Sequence, residues 1–228
     1  LRRHGVKALS LGNPMMDGIS KSECPNDFKK YRRLILLCGS RLPEAYQNFK
    51  KLLIAIQLIQ ISSSMAVFVP LSSSSMRKKI EMILIDLGFK PTYQSIADIG
   101  ISEIWKKNSL LILIGFNQFS SWAKWGEVGV ANAGTATEQL VGLGIPCVSF
   151  PGNGPQFNFN FAKRQSRLLG GAVAIANGNE IFAKQVGFLL NSAFDRDRIG
   201  LRGSKRMGPE GGSHAIAFSI STYLNQCL

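Results

Sequence analysis

The chain has 228 residues, with 27 Lys and Arg against 14 Asp and Glu, and its formal net charge is +13 at pH 7. Hydrophobic residues make up 45% of the sequence, which is ordinary for a globular domain and excludes a disordered basic tail. No apolar run reaches the roughly 20 residues that cross a bilayer, so we expect a soluble α/β domain whose charge indicates an anionic partner.

Short apolar runs alternate with longer amphipathic stretches along the chain. Such runs are typical of parallel strands that are buried on both faces. Strands are predicted, in chain order, at 34–38, 65–70, 110–114, 128–131, 146–150 and 172–175. Helices are predicted at 43–61, from 72–75 to 87, from 134 to about 143 and after 177. This alternation predicts the α/β class, as a Rossmann-like, doubly wound parallel sheet with helices on both faces.

The first 30 residues do not follow this alternation. A brief strand is predicted at 8–11, a turn at 12–14 and a polar linker at 20–28. We therefore interpret 1–30 as an interdomain crossing and linker, and 31–228 as one large domain.

Cysteine and histidine are sparse and widely spaced: Cys24, Cys38, Cys147, Cys227, His4 and His214. No CxxC pair occurs, so zinc, a disulfide framework and redox chemistry lack support. A reduced, cytosolic compartment is expected, and no cofactor is indicated.

Basic residues are grouped in pairs and short clusters, among them Arg2-Arg3, Arg77-Lys78-Lys79, Lys106-Lys107 and 202–206. Most such groups are solvated helix faces, and the alternative is a surface attracted to anionic lipid or to a phosphorylated ligand. Nucleic acid is ranked below both because no nucleic-acid-binding motif accompanies the charge.

Two predicted strand-to-helix turns carry groups suited to phosphate. In an open parallel sheet, ligands bind beyond the carboxyl ends of the strands. In the first turn Gly39 lets the backbone approach a ligand, Ser40 offers a hydroxyl and Arg41 can clamp phosphate oxygens. The alternative is a plain tight turn with a solvated arginine.

The second turn is Gly134-Thr135-Ala136-Thr137-Glu138. Its small residues leave room for a pyrophosphate, and its hydroxyls and helix N-terminus offer hydrogen bonds. Glu138 either stabilises the helix dipole or accepts hydrogen bonds from ribose hydroxyls. The pattern is neither GxxxxGK[ST] nor GxGxxG, so the signatures of P-loop NTPases and dinucleotide dehydrogenases are absent.

A Gly/Pro loop follows the strand at 146–150. After it, Gln156 and Asn160 could hydrogen-bond sugar hydroxyls or could simply be exposed polar residues. Four aromatic residues recur near helical spacing: Phe116, Phe119, Trp122 and Trp125. This spacing favours a core position over a ligand-binding one.

In this order, these stretches resemble the C-terminal, nucleotide-binding half of GT-B glycosyltransferases, particularly lipid-A-disaccharide synthase and its related family. Gly-Asn-Pro-Met-Met-Asp at 12–17 is similar to that family's His-Pro-Leu-Leu-Asp crossing, with Asn13 in place of its His. Residues 37–41 look like its Pro-Gly-Ser-Arg turn, and 134–138 like its Gly-Thr-Ala-Thr-x-Glu segment. Residues 206–213 resemble its closing helix.

The resemblance implies metal-independent binding of a UDP-sugar and inversion at the anomeric carbon. By this analogy a hexosamine-type sugar passes from UDP-GlcNAc or an acylated derivative to a lipid acceptor. The diphosphate would contact Ser40, Arg41 and the backbone at 134–137, Glu138 would hold the ribose, Gln156 the donor sugar, and Phe119 would lie near the uracil.

The resemblance also implies that the catalytic base and the acceptor groove belong to an N-terminal half that this sequence lacks. The fragment should then bind nucleotide without turning it over, on the cytoplasmic side and in peripheral contact with an anionic membrane. The alternatives are a sugar-nucleotide epimerase or hydrolase of the same fold, and a non-catalytic module for anionic ligands.

Overall fold

The computed structural model describes residues 4–6, 8–20, 22–93, 99–152 and 154–226, so Arg2, Arg3 and Cys227 lie outside the described residues. Its helices are α1 (Asn26–Lys29), α2 (Glu44–Ile56), α3 (Arg77–Asp86), α4 (Phe119–Trp122), α5 (Thr135–Gly142), α6 (Phe159–Leu168), α7 (Asn179–Asn191), α8 (Ala193–Met207) and α9 (Gly212–Gln226). Its strands are β1 (Arg32–Leu37), β2 (Met65–Leu71), β3 (Lys90–Pro91), β4 (Glu103–Lys107), β5 (Leu110–Phe116), β6 (Val128–Ala131), β7 (Cys147–Ser149) and β8 (Val173–Ile175).

The strands form one sheet in the order β3-β4-β5-β2-β1-β6-β7-β8. The six strands from β5 to β8 in this order are parallel, whereas β4 and β3 extend one edge in antiparallel pairing. The strand order reverses between β1 and β6, which pair from Leu34–Val128 to Leu37–Ala131. The α/β prediction with a Rossmann-like, largely parallel sheet is confirmed.

The sheet separates two hydrophobic cores, and β1 contributes to both. Leu34 and Leu36 face the core under α2, α3 and α7, whereas Ile35 and Leu37 face the core under α1, α4 and α5. Because successive side chains point to opposite faces, a strand buried on both sides must be apolar throughout. The continuous apolar runs of the sequence therefore locate the central strands.

One prediction for the first 30 residues is wrong. Residues 8–11 adopt no strand conformation and are not part of the sheet. The predicted linker at 20–28 includes the start of α1. Phe28 of this helix is buried and packs edge-to-face on Phe68, with ring centroids 5.2 Å apart.

The antiparallel edge was not predicted, because its strands carry lysines and lack a long apolar run. Lys107, at the end of β4, donates from Nζ to the Leu87 carbonyl at 2.7 Å and to Gln57 Oε1 at 2.6 Å. The predicted helix at 43–61 ends earlier, at Ile56, and Gln57 at its end accepts this bond. Charged side chains are common on edge strands because they discourage pairing with another chain.

The segment at 12–17 packs against the domain. The Asp17 carboxylate accepts hydrogen bonds from the N–H groups of Gly211 (2.6 Å) and Ser213 (2.9 Å) at the start of α9. Asn13 donates its N–H to the Pro209 carbonyl at 2.9 Å, and Met16 is buried beside α5. The interdomain role of 1–30 stays a prediction.

Among the described residues, no helix combines the length and the apolar character needed to cross a bilayer.

Part of the positive charge is used inside the fold, around Glu127. Its carboxylate lies 2.9 Å from Arg32 Nη2 and 3.5 Å from Arg196 Nη2, and it accepts the Arg33 N–H at 2.9 Å. Burial by itself would raise the pKa of Glu127, but the hydrogen bonds from Arg32 and Arg33 hold this pKa below its usual range. The carboxylate thus joins β1, the start of β6 and α8.

We predict that Glu127→Gln lowers the free energy of unfolding at pH 7 by about 1.5–3 kcal/mol, the scale of hydrogen bonds to charged groups. Because the folded-state pKa is lowered, the carboxylate's contribution is fully present above the unfolded pKa and is lost as the pH falls through the folded pKa. Chemical denaturation as a function of pH should show the difference between wild type and variant shrinking in acid. Glu180→Gln, at an exposed site on α7, is the control. A difference that does not change with pH would contradict this account.

Candidate functional site

A cavity of about 740 Å³ opens at the carboxyl edge of the sheet, where the strand order reverses. The turns after β1 and β6 lie at its centre. The ends of β2 and β5 line one side, and residues 156, 157 and 161 line the other. A crevice at such a switch point is the usual ligand site of open α/β sheets.

The structure brings most of the predicted site residues together in this cavity. The lining includes Gly39, Ser40, Arg41, Phe119, Gly134, Thr135, Ala136 and Gln156. Thr137, Glu138 and Asn160 do not line it. Thr137 is buried and donates from Oγ1 to the Ala133 carbonyl at 2.7 Å. Glu138 lies on the first turn of α5 with Oε1 3.5 Å from Gln165 Nε2, and Asn160 is exposed on α6.

The turn after β1 requires its glycine. Gly39 has a φ of +89°, and a Cβ at this position would lie 3.2 Å from the Asn132 carbonyl oxygen. The neighbouring Cys38 lines the cavity floor, and burial raises the pKa of its thiol to about 12. At neutral pH this sulfur is a protonated thiol, which is a poor nucleophile.

Arg41 is the one cationic side chain among the described residues that line the cavity. Its Nη1 donates to Gln156 Oε1 at 2.7 Å, which links the turn after β1 to the loop after β7. In the described part of the chain, no carboxylate lies within ion-pair distance of this exposed guanidinium. The positive charge is therefore held by a neutral partner and stays available to an anion.

The N-terminus of α5 faces the same cavity. Thr137 and Glu138 direct their N–H groups back to the Gly134 carbonyl, at 3.0 and 3.3 Å. The N–H groups of Thr135 and Ala136 find no acceptor among the described residues. A Cβ on Gly134 would meet only the Phe161 ring, at 4.0 Å. The helix start therefore offers open space, two donors and the positive end of the helix dipole to an anion.

A buried amide network lies beneath these turns, and no local sequence pattern indicates its hydrogen bonds. Asn132, which is 1% exposed, donates to the Phe150 carbonyl (2.7 Å) and to Asn48 Oδ1 (3.3 Å), and its Oδ1 accepts the Phe150 N–H (2.9 Å). Asn48 in turn donates to the Cys38 carbonyl at 3.1 Å. The network joins the ends of β1, β6 and β7 to α2, so it fixes the floor of the cavity.

Glu44 and Lys51 of α2 hold the loop that follows β7. Glu44 Oε1 accepts the Phe157 N–H at 2.9 Å, and Lys51 Nζ donates to the Pro151 carbonyl at 2.7 Å. The ammonium lies 3.7 Å from the centroid of the Phe150 ring, and its burial lowers the pKa of Lys51. These contacts place Gln156 over Arg41.

Further polar residues of the lining were also missed: Ser72, Asn117 and Gln139. Ser72 and Asn117 directly follow the ends of β2 and β5, so the rule that ligands bind at the carboxyl ends of strands could have found them. Asn48 could have been found as an amide on the apolar face of a predicted helix. Among the described residues, no three His, Cys, Asp or Glu side chains are grouped as a metal ion would require.

No protein-family model matches the sequence, and no curated protein is detectably similar to it. Solved structures with the same fold are found at low identity. A candidate UDP-N-acetylglucosamine 2-epimerase from Listeria monocytogenes superposes with a TM-score of 0.60 at 13% identity, over 95% of this chain and 53% of that one. The S. aureus MnaA–UDP complex gives 0.58 at 14% identity, over 98% of this chain and 56% of that one.

The spinosyn rhamnosyltransferase SpnG, in complex with spinosyn aglycone, gives a TM-score of 0.51 at 15% identity, over 84% of this chain and 46% of that one. This chain therefore spans about half the length of the structures it matches. The likeness identifies the fold as one Rossmann-like half of a GT-B architecture.

We predict that Asn132→Ala lowers the free energy of unfolding by about 1–3 kcal/mol, because it leaves the buried N–H and carbonyl of Phe150 without partners. Chemical denaturation measures the change. Asn191→Ala, at an exposed site at the end of α7, serves as the control. Equal stability of the two variants would show that the amide network does not hold the cavity floor.

Proposed function

We propose that this chain is the nucleotide-sugar-binding half of a GT-B enzyme that uses a UDP-sugar. The observation that carries the proposal is the convergence of two anion-binding features on one cavity. These are the Arg41 guanidinium, which has only a neutral partner, and the free N–H groups of Thr135 and Ala136. That a structural neighbour was solved in complex with UDP supports the choice of nucleotide.

The diphosphate is placed between these two features. Ser40 and Arg41 contact it from the turn after β1, and the backbone of 134–136 contacts it from the start of α5. Gly39 and Gly134 keep side chains out of the space that the phosphates occupy. When the bond to the sugar breaks, charge develops on the departing UDP. Fixed N–H dipoles and a guanidinium stabilise this charge without a metal ion.

The remaining parts of the ligand are assigned to the rest of the lining. Phe119 is half-buried in the cavity wall, and we place it near the uracil. Gln156 is placed at the donor sugar. A role for Glu138 at the ribose requires its side chain to turn away from Gln165. A role for Asn160 requires a sugar that extends beyond the cavity lining to the exposed start of α6.

We further propose transfer of a hexosamine-type sugar, from UDP-GlcNAc or an acylated derivative, to a lipid acceptor at an anionic membrane. The support is the order of the motifs at 12–17, 37–41 and 134–138, which resembles lipid-A-disaccharide synthase. In this proposal the catalytic base and the acceptor groove are supplied by an N-terminal half.

Arg41→Ala should weaken the binding of UDP by about 10- to 150-fold, which corresponds to the loss of hydrogen bonds to a charged group. Isothermal titration calorimetry with UDP measures the change. The control variant is Arg164→Ala, an exposed arginine of α6 outside the cavity lining. Uridine, which has no phosphate, should bind both variants equally.

Unaltered affinity of Arg41→Ala for UDP would contradict the placement of the diphosphate. Salt-sensitive binding of polyanions that UDP does not displace would instead favour a non-catalytic module for anionic ligands.

A sugar-nucleotide 2-epimerase is the second candidate. The candidate epimerase from Listeria superposes with a higher TM-score than the rhamnosyltransferase, 0.60 against 0.51. An epimerase acts on UDP-GlcNAc without an acceptor and inverts its C2 carbon, whereas a transferase leaves C2 unchanged. Because this chain spans about half of either kind of enzyme, the test uses this chain joined to the proposed N-terminal half. We expect proton NMR of UDP-GlcNAc incubated with that protein in deuterated water to show no C2 epimer and no deuterium at C2. Either product would establish the epimerase.

A further inference from the structure

The outward face of α8 carries large apolar side chains among cations. Phe194 is 76% exposed and Leu201 is 56% exposed. Arg198, Arg202, Lys205 and Arg206 surround Leu201 and form with it a shallow groove of about 560 Å³. Isolated exposed apolar residues need no explanation, but two on one helix face, interleaved with four cations, form a defined surface.

The orientation of α8 is fixed by its opposite face. Gly200 and Gly203 are buried, and a Cβ on either would collide with the turn at Gly144 or with Val141 of α5. Arg196 also points inward, with Nη2 3.5 Å from Glu127 Oε1. The helix therefore cannot turn its outward residues into the core.

The outward residues repeat at helical spacing. Phe194, Arg198, Leu201 and Lys205 follow each other at intervals of four, three and four residues, which places them on one face of an α-helix. Arg202 and Arg206 lie beside this row. We call these six residues the α8 face.

Most of the positive charge on the α8 face is not neutralised. Within the described ranges, Arg198 is paired with Asp195 at 2.9 Å, and no carboxylate lies within ion-pair distance of Arg202, Lys205 or Arg206. Asp197 is exposed three residues after Phe194 and four before Leu201, so it adds one negative charge beside them. The surface thus combines three unpaired cations with two exposed apolar side chains.

We propose that the α8 face is the docking surface for an anionic lipid bilayer. Arg202, Lys205 and Arg206 have no carboxylate partner in the described ranges, and the negatively charged phospholipid headgroups would pair with them. The Phe194 and Leu201 side chains then enter the boundary between headgroups and acyl chains, where apolar residues leave water. A nucleic acid would use the cations but would leave Phe194 and Leu201 in water, so the apolar pair favours lipid.

This inference names a surface for the membrane contact proposed above and rests on that part of the proposal. It does not depend on the nucleotide cavity, because none of the six residues lines that cavity. An experiment can therefore reject the α8 face as a membrane surface without rejecting the nucleotide site, and the reverse.

The test is co-sedimentation of the full chain with phosphatidylcholine vesicles, with and without phosphatidylglycerol. We expect binding to the anionic vesicles only, and binding should decrease as salt is added. Arg202→Gln/Lys205→Gln should weaken this binding by about 30-fold, given the attraction of each cation to an anionic surface. Phe194→Ser/Leu201→Ser should weaken it by about tenfold, because two apolar insertions are lost.

Matched variants control for charge and for apolar exposure elsewhere. Lys78→Gln/Lys79→Gln removes two exposed cations from α3, and Ile85→Ser removes an apolar side chain that is 61% exposed. Both controls should retain the binding of the wild type. Equal losses in the controls would overturn the assignment, because net charge alone would then explain the attraction.

Three further outcomes would also overturn the assignment. Binding that persists in both α8 variants would place the contact elsewhere, for example on α9, which carries exposed apolar side chains. Duplex DNA that binds through Arg202 and Lys205, with no effect of Phe194 or Leu201, would make nucleic acid the partner. Absence of vesicle binding in a protein that still binds UDP would reject the α8 face alone.

The opposite result, vesicle binding without UDP binding, would reject only the nucleotide site and would leave the α8 face supported.

Discussion

The cavity depends on one buried side chain, the amide of Asn132. Its hydrogen bonds to Phe150 and to Asn48 hold the ends of β6 and β7 and the start of α2 at fixed distances, and Asn48 extends them to the end of β1. A buried amide without hydrogen-bond partners lowers the stability of the fold, so other positions of these side chains are unfavourable. The turns that carry Arg41 and the free N–H groups of α5 therefore rest on a rigid base, and a ligand would find its polar partners already oriented.

The central sheet could be predicted from the sequence because burial on both faces demands continuous apolar runs, as in β1 and β5. The two phosphate-type turns could be predicted for a related reason. Small residues directly after such a run, as at Gly39 and Gly134, have few structural uses other than a tight turn or a close approach of backbone. These local signals need no knowledge of distant contacts.

What the sequence did not reveal depends on contacts between distant residues. Asn48 and Asn132 are 84 positions apart and meet only in the folded chain. The edge strand β4 is held by pairing with β5 rather than by its own composition. The pairing of Arg41 with Gln156 across 115 positions is likewise invisible in either local segment. The net charge did not show where each cation lies. Arg32, Arg33 and Arg196 contact Glu127 inside the fold, whereas Arg202, Lys205 and Arg206 face solvent.

Because the strand order reverses between β1 and β6, two distant parts of the chain build the two sides of the cavity. Residues up to Ser120 build one side of the cavity and residues from Asn132 onward build the other, and they meet where β1 pairs with β6. A ligand that contacts both sides binds only the folded chain, so its binding would raise the free energy of unfolding of the whole fold. Helix α9 is held at its first turn by Asp17 and contributes no residue to the cavity lining. Local unfolding of α9 would therefore leave such a bound ligand in place.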